Sequence, residues 1–396
     1  MDRNKIRIKL GILSLSTVTG AGSAITSIIP IISLNYPNQS LSNIESLVTI
    51  TSLSALLSIS INSLITKKIG IKNTISIGIK NTISIGLFLG SIMGILPFCL
   101  QSYSLILLSR IILGLAIGLY SPHAISLISY FYKGEERATL LGFQMGITAL
   151  GNAILLLICG VLSYFNWRFT FFVYAFLGVI GVVVKLFVPS ANNSEEIKKS
   201  TREKLSPQLK KLLILCFFTF LIIWGVQLKL PTFIVHEKIG NTATSSTLLA
   251  LMNIAGMLAG MSFGYFYKKA KKMVLPIGFL GAAVSVLILT IFKGKISIFI
   301  FGILFNFIYS FTGPYITLQI NSQAKQNQLT KVNSLLMVSM IGSAFLAPYI
   351  WNTLTGFFGS SSNTVVSFWL MITALFTIGV FLLIYSLKSK DNFGDN

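Results

Sequence analysis

Acidic residues are scarce in this 396-residue chain: 10 Asp and Glu stand against 31 Lys and Arg, and charged residues of both signs make up only 10%. An ordinary soluble domain carries about a quarter charged residues, so that class is excluded. Cysteine is almost missing. Cys99, Cys159 and Cys216 sit in or at the ends of apolar runs without CxxC spacing, which excludes a disulfide framework and leaves small buried hydrophobes. Histidine occurs twice. The clustered His, Glu and Asp or the Ser/Lys pair that an intramembrane enzyme requires is not found, so neither catalytic residues, a metal nor a cofactor is expected.

What the chain does have is apolar length. It is 54% hydrophobic with 30 Phe, and twelve apolar runs fall at 9–34, 42–66, 79–100, 104–131, 138–164, 168–189, 211–235, 244–267, 273–292, 296–320, 330–357 and 362–387. Runs of about 20 residues match a hydrocarbon core of ~30 Å, and they are too long for the ~10-residue strands of a membrane barrel. Backbone polar groups must be satisfied inside the span, so helices are predicted throughout.

The net charge of +21 invites a nucleic-acid reading, which its distribution contradicts. With the N-terminus inside, the inner segments hold Arg3 to Lys9, Lys67, Lys68, Lys72, Lys80, Lys133, Arg137, the linker cations, Lys268 to Lys272, Lys325, Lys331, Lys388 and Lys390. The outer loops hold only Arg168, Lys238, Lys293 and Lys295. That asymmetry is the positive-inside signal. The expectation is a multi-pass protein of the cytoplasmic membrane with both termini cytoplasmic, in contact with membrane lipids, binding no nucleic acid, and a monomer. The basic start followed by an apolar run imitates a signal peptide, but the run is too long and lacks a small-residue cleavage site, so an uncleaved first helix is predicted.

The chain is written twice. Residues 1–189 are predicted to form one six-helix bundle and 211–396 a second, joined by a cytoplasmic linker at 190–210, the one long polar interruption. Ser121-Pro122 late in the fourth run recurs as Gly313-Pro314 late in the tenth, 192 positions on. Ser63 with Lys67-Lys68 recurs as Gly264 with Lys268-Lys269, 201 positions on. Membrane chains built from two repeats can open a central site to either side by rocking them. A second repeat is of another kind: Gly70–Ile77 reads GIKNTISI and Gly78–Ile85 reads the same. An immediate tandem octapeptide is a slippage duplication that lengthens an inner loop, since the third span can start after Lys80.

Three motifs follow each other in the first half. RIILGLAIG carries Arg110, Gly114 and Gly118; KGEERATLLG carries Glu135, Glu136 and Arg137; NWRFTFF carries Trp167 and Arg168. Their order, spacing and side of the membrane resemble the major facilitator superfamily of transporters, which has an arginine and spaced glycines in its fourth helix, an E-R pair after it, and W-R-x-x-F before the sixth. The family's motif between helices two and three, G-x-L-x-D-R-x-G-R-K, survives here as Ser63 to Lys72, with Lys67, Lys68 and Gly70 but lysine in place of aspartate. Those lysines are either remnants of a gating motif or membrane anchors. The resemblance implies an all-α fold of twelve helices in two pseudo-symmetric halves, with Lys67, Lys68, Gly70, Arg137 and Arg168 as gating residues.

Polar residues inside the spans are the candidates for a substrate cavity. Arg110 lies seven residues into span four, where it either faces a cavity or structural polar partners or snorkels outward. Gln144, Thr148 and Asn152 at i, i+4, i+8 make a polar stripe on span five. Span seven offers Gln227, with Lys229 nearly opposite and close enough to the outer end to snorkel. Span ten offers Asn306 and Tyr309, a pair suited to grip an amphipathic solute, although tyrosines also belong to interface belts. Gly256, Gly260 and Gly264 of span eight read as a close-packing stripe. Glu45 and His123 are the available proton carriers.

Arg110 and Lys229, with no Asp or Glu at mid-membrane, point to a neutral or anionic small-molecule substrate. The favoured function is a secondary active transporter working by alternating access, with proton-coupled efflux by an antiporter preferred from the resemblance. The alternatives are an importer of a small anion, such as a cyanate- or nitrate-like permease, a flippase of an anionic lipid-linked substrate, and a sensor on a transporter scaffold.

Overall fold

The structure, a computed structural model, describes residues 3–69, 79–188, 205–325, 328–360 and 362–388. Gly70, the first octapeptide copy and the 190–204 part of the linker fall outside these residues, as do the side chains of Lys67, Lys68 and Arg137. The described chain is all-α. Its helices are α1 (Arg3–Ser16), α2 (Ile29–Asn35), α3 (Leu41–Ile69), α4 (Ile79–Ile95), α5 (Tyr103–Tyr120), α6 (His123–Phe131), α7 (Gly134–Ser163) and α8 (Ala175–Phe187). They continue with α9 (Pro207–His236), α10 (Thr242–Ala270), α11 (Val274–Ile291), α12 (Lys295–Tyr309), α13 (Thr312–Gln323), α14 (Leu329–Gly356) and α15 (Thr364–Lys388).

These helices make twelve spans. Eleven stretches are long and apolar enough to cross a bilayer, and one of them, Thr242–Ile291, contains both α10 and α11. The two are separated by a 3-10 turn at Lys271–Met273, where Lys271 adopts φ 42°. Helix starts are marked by local chemistry. Ser206 accepts a bond from the Leu209 amide ahead of Pro207, and Asn363 accepts one from the Val366 amide; both satisfy amides that a helix leaves without a partner.

Helices were expected in all twelve runs, with Pro122 able to kink span four, and four of the spans are interrupted. Span one unwinds between α1 and α2 into turns and short 3-10 pieces whose amides bond three residues back, such as Thr17 to Ser14 and Ser23 to Gly20. Span four breaks at Ser121-Pro122 between α5 and α6, where proline offers no amide to the preceding turn. Span six opens with a 3-10 helix at Trp167–Tyr174 before α8. Span ten breaks at Ser310 and Phe311, and Pro314 falls in the first turn of α13, where its missing amide is harmless.

The chain divides into two compact units, one of Met1–Lys199 with Thr242–Ala250, the other of Ser200–Asn241 with Leu251–Asn396. Corresponding spans pair alike in each. In the first, α4 packs on α5 and on α8; in the second, α11 packs on α12 and on α15.

The tightest helix pair in the first unit is α3 with α5, and the glycines of RIILGLAIG account for it. A Cβ at Gly114 would lie 2.4 Å from the Thr51 carbonyl oxygen, and one at Gly118 would lie 2.5 Å from that of Ala55. The two helices run side by side in a four-residue register, small residue against bare backbone. The glycines of span eight behave differently from the packing stripe expected of them. Only Gly256 is covered, by the Asn306 amide and Ser310, while a Cβ at Gly260 or Gly264 would meet nothing within 4 Å. Gly114→Ala is therefore expected to destabilise the protein by ~1–3 kcal/mol through overpacking and to lower its unfolding temperature in detergent. Gly260→Ala should leave that temperature unchanged or raise it slightly, as alanine is the better helix former.

Candidate functional site

The polar side chains of the first unit gather around the unwound part of span one. Arg110 is fully buried rather than snorkelled. Its Nη2 donates to the Gly22 carbonyl at 2.6 Å, its Nε to the Leu47 carbonyl at 2.9 Å and its Nη1 to the Tyr174 hydroxyl at 2.6 Å. The guanidinium also stands 5.2 Å from the centre of the Tyr174 ring. Tyr120, immediately before the break in span four, donates to the Val18 carbonyl at 2.7 Å. The carbonyls of a broken helix need such partners wherever water does not reach them. A charged residue at mid-bilayer costs at least ~2.5–3.5 kcal/mol, and hydrogen bonds to a charged group are worth ~1.5–3 kcal/mol each. Three of them offset the burial.

The stripe on α7 lies on the other side of the same unwound stretch. Gln144 Nε2 donates to Thr148 Oγ1 at 3.2 Å, and Thr148 lies 3.4 Å from the Thr19 hydroxyl. Asn152 covers Gly20 so closely that a Cβ there would fall 2.1 Å from its Oδ1, and that oxygen has no hydrogen-bond partner. Arg110 and the Gln144–Asn152 stripe thus flank one segment, residues 17–28. Glu45 is fully buried on α3, two residues before the carbonyl that Arg110 engages. His123 is far from it. The register of Gly118 against Ala55 sets His123 level with Ser60, which is ~22 Å along α3 from Glu45. The Ser126 hydroxyl lies 3.4 Å from Nδ1 of the His123 ring.

Asn306 is the hub of the second unit. Its Oδ1 accepts from Gln227 Nε2 at 3.0 Å and its Nδ2 donates to the Met252 carbonyl, so one amide joins α9, α10 and α12. Tyr309 is buried between Phe279 and Phe305 and donates to the Thr219 carbonyl at 3.0 Å. Lys229 does not snorkel; it is 1% exposed and its ammonium donates to Asn352 Oδ1. The face it shares with Gly225 and Phe233 packs on α14 and α15, with Gly225 against Trp351 and Met371 and Phe233 against Phe368.

Arg168 has a fixed position at the start of span six. Its Nη1 donates to the Leu100 carbonyl at 2.6 Å, and its guanidinium covers the Trp167 ring at 5.0 Å. It clasps the turn between spans three and four. Tyr120, Tyr174 and Asn352 were not among the expected site residues. The signal for the tyrosine was present, since Tyr120 and Tyr309 are 189 positions apart, close to the offset of the repeats.

The family profile for the Major Facilitator Superfamily matches residues 11–348. The chain belongs to that superfamily. This facilitator is 24% identical over 328 residues to the putative glycerol-3-phosphate transporter 5 of Arabidopsis thaliana, a match over 69% of this chain and 66% of that protein. It is 28% identical over 131 residues to the probable chloroplastic anion transporter 6 of the same plant, over 31% of this chain and 25% of the relative. The chain thus spans just under two thirds of the first relative and a quarter of the second. Among solved structures, the crystal structure of the nucleoside transporter NupG superposes with a TM-score of 0.74 at 11% identity, covering 98% of this chain and all of NupG. That likeness concerns the fold. It agrees with the twelve-helix architecture expected from the three motifs.

In this facilitator the Asn306 hub is open to a double-mutant cycle. Asn306→Leu and Gln227→Leu should each lower stability, and the double variant should fall short of their sum by ~0.6–2 kcal/mol, measured by unfolding in mixed micelles.

Proposed function

We propose that this transporter carries a small organic anion by alternating access of two six-helix bundles, 1–189 and 211–396, joined by the cytoplasmic linker 190–210. Both termini lie in the cytoplasm in this reading, and transport is export coupled to protons. The observation that carries the substrate class is the sign of the buried charge. Each unit buries one full cation at membrane depth, Arg110 in the first and Lys229 in the second. Against these two cations stands one fully buried carboxylate among the described residues, Glu45 of the first unit. An interior with that balance favours an anionic or neutral solute over a cation, which would need a buried acid as partner. The names of the glycerol-3-phosphate and anion transporters among the relatives support the same class.

Within this reading Gln144, Asn152, Gln227 and Asn306 supply the neutral donors and acceptors that orient the solute. Asn152 supports it best, because its buried oxygen is unmatched and a solute hydroxyl would complete it. Arg110 sets the local potential, with three of its five N–H groups already engaged by the protein. Tyr309 acts through the backbone it holds. Glu45 is the proposed proton carrier, and His123, well separated from it, a second and independent one. Import of a small anion is the other reading that the two buried cations support, and the same experiment separates the directions.

Proteoliposomes of defined orientation, loaded with a pH-sensitive dye, test this with sn-glycerol 3-phosphate, inorganic phosphate and glycerol as probes. Outward movement of an anionic probe from the basic face, in exchange for protons moving inward and not seen with glycerol, is expected, and Glu45→Gln should reduce the coupled proton flux at least tenfold. Inward accumulation would select the importer. Full gradient-driven activity in both Glu45→Gln and His123→Asn would remove the proton coupling assigned to them.

A further inference from the structure

One end of the second unit combines a cluster of positive charge with an apolar groove, and neither belongs to the polar networks described above. The run KKAKK carries Lys268, Lys269, Lys271 and Lys272 across the turn from α10 to α11. Lys268, Lys269 and Lys271 are exposed, and Lys269 sits 4.6 Å over the exposed ring of Tyr265. Helix α15 packs against this turn, with the Ser386 hydroxyl 3.2 Å from Met273 Sδ, and ends two residues later at exposed Lys388. Among the described residues of this unit the one carboxylate is Glu237, just past the opposite end of α9.

The groove begins at the same turn. Phe266, Ala270, Val274, Ile277, Phe307 and Phe311 line a hollow of about 120 Å³. Phe307 is shared with a second hollow of about 370 Å³ that continues along α10 and α12 past Leu258 and Ala255 to Ile300. Both linings are wholly apolar. From Ala270 to Ala255 the groove follows α10 for ~22 Å, more than the ~15 Å depth of one hydrocarbon leaflet. Tilted and edge-on contacts among Phe266, Phe307 and Phe311 hold its wall in place, with centroids 4.7 Å and 5.3 Å apart.

We propose that this end of the unit holds an anionic phospholipid, its phosphate on Lys268, Lys269, Lys271 and Lys388 and one acyl chain in the groove between α10 and α12. Charge and apolar length are each common at a membrane surface. Their junction is what selects the ligand: a groove that opens under a lysine cluster fits a molecule with a negative head and a long apolar tail. Basic clusters at the end of a membrane helix attract anionic headgroups, and the exposed tyrosine stands at interface level, where such rings are enriched. A free phosphate would use the lysines alone and leave the groove unfilled. Lipid held here would brace α10 against α12, the two helices that Asn306 bonds together.

Native mass spectrometry of the full chain, released from micelles doped with equal dioleoyl-phosphatidylglycerol and dioleoyl-phosphatidylcholine, tests the site. One phosphatidylglycerol should be retained at least tenfold more often than phosphatidylcholine. Each lysine near an anionic headgroup contributes about a fivefold gain in affinity, so the Lys268→Gln, Lys269→Gln, Lys271→Gln triple variant should weaken retention on the order of a hundredfold. These positions are exposed and the variant is expected to fold. Ala270→Trp, which plugs the mouth of the groove with all lysines intact, should also release the lipid. Equal retention of the two lipids, unchanged retention in the triple variant, or displacement of the lipid by millimolar inorganic phosphate would each overturn the proposal.

Discussion

The guanidinium of Arg110 and the unwound backbone of span one depend on each other, and the rest of the first unit is arranged around that pair. A helix crossing a membrane satisfies its own carbonyls; a broken one needs outside donors. Arg110 supplies Gly22 and Leu47, and Tyr120 supplies Val18. Other features of the unit follow. Gly114 and Gly118 bring α5 against α3 so that the arginine one turn earlier reaches the Leu47 carbonyl. The 3-10 start of span six brings Tyr174 to the same guanidinium. The Gln144–Asn152 face of α7 covers the unwound segment from its other side.

The second unit repeats part of this plan. Tyr309 donates to Thr219 of span seven as Tyr120 donates to Val18 of span one. Span seven, however, is a continuous helix, α9, and no arginine among the described residues serves it; Gly302 occupies the place in α12 that Arg110 holds in α5. Its buried cation is Lys229, set in the packing between α9, α14 and α15. The duplicated scaffold thus carries two different polar cores, a charged one built on backbone carbonyls and an amide one built on Asn306.

Much of the architecture was legible in the sequence, because apolar length and lysine placement report directly on spans and sides. Interruptions within spans were not. The Thr17–Ile28 stretch holds five Ser and Thr and two glycines among its twelve residues yet falls inside one predicted span; the donor that meets its Gly22 carbonyl is tertiary, 88 positions away. Pro122 marked its break, whereas the Ser310 break carries no proline of its own. Lys229 shows the limit of arguing from depth. Its distance from the helix end allowed snorkelling, but Gly225 and Phe233 on the same face turn it into the core. The span-eight glycines show the converse, a spacing that resembles close packing on a face where Gly260 and Gly264 meet nothing. Gln144, Asn152, Gln227 and Asn306 were all found as polar residues, but their grouping, two on the unwound segment and two in one amide hub, follows from helix rotation that periodicity alone does not fix.

Hydrogen–deuterium exchange over residues 17–28, compared between the wild type and Arg110→Met in the same detergent, addresses the central dependence most directly. Loss of the donors should raise exchange in this segment at least tenfold, while residues 79–95 of α4 stay protected; Arg110→Lys, which keeps the charge but not the fork of donors, should fall between. Unchanged protection of residues 17–28 in Arg110→Met would contradict the account, because the unwound backbone would then be held by something other than the arginine.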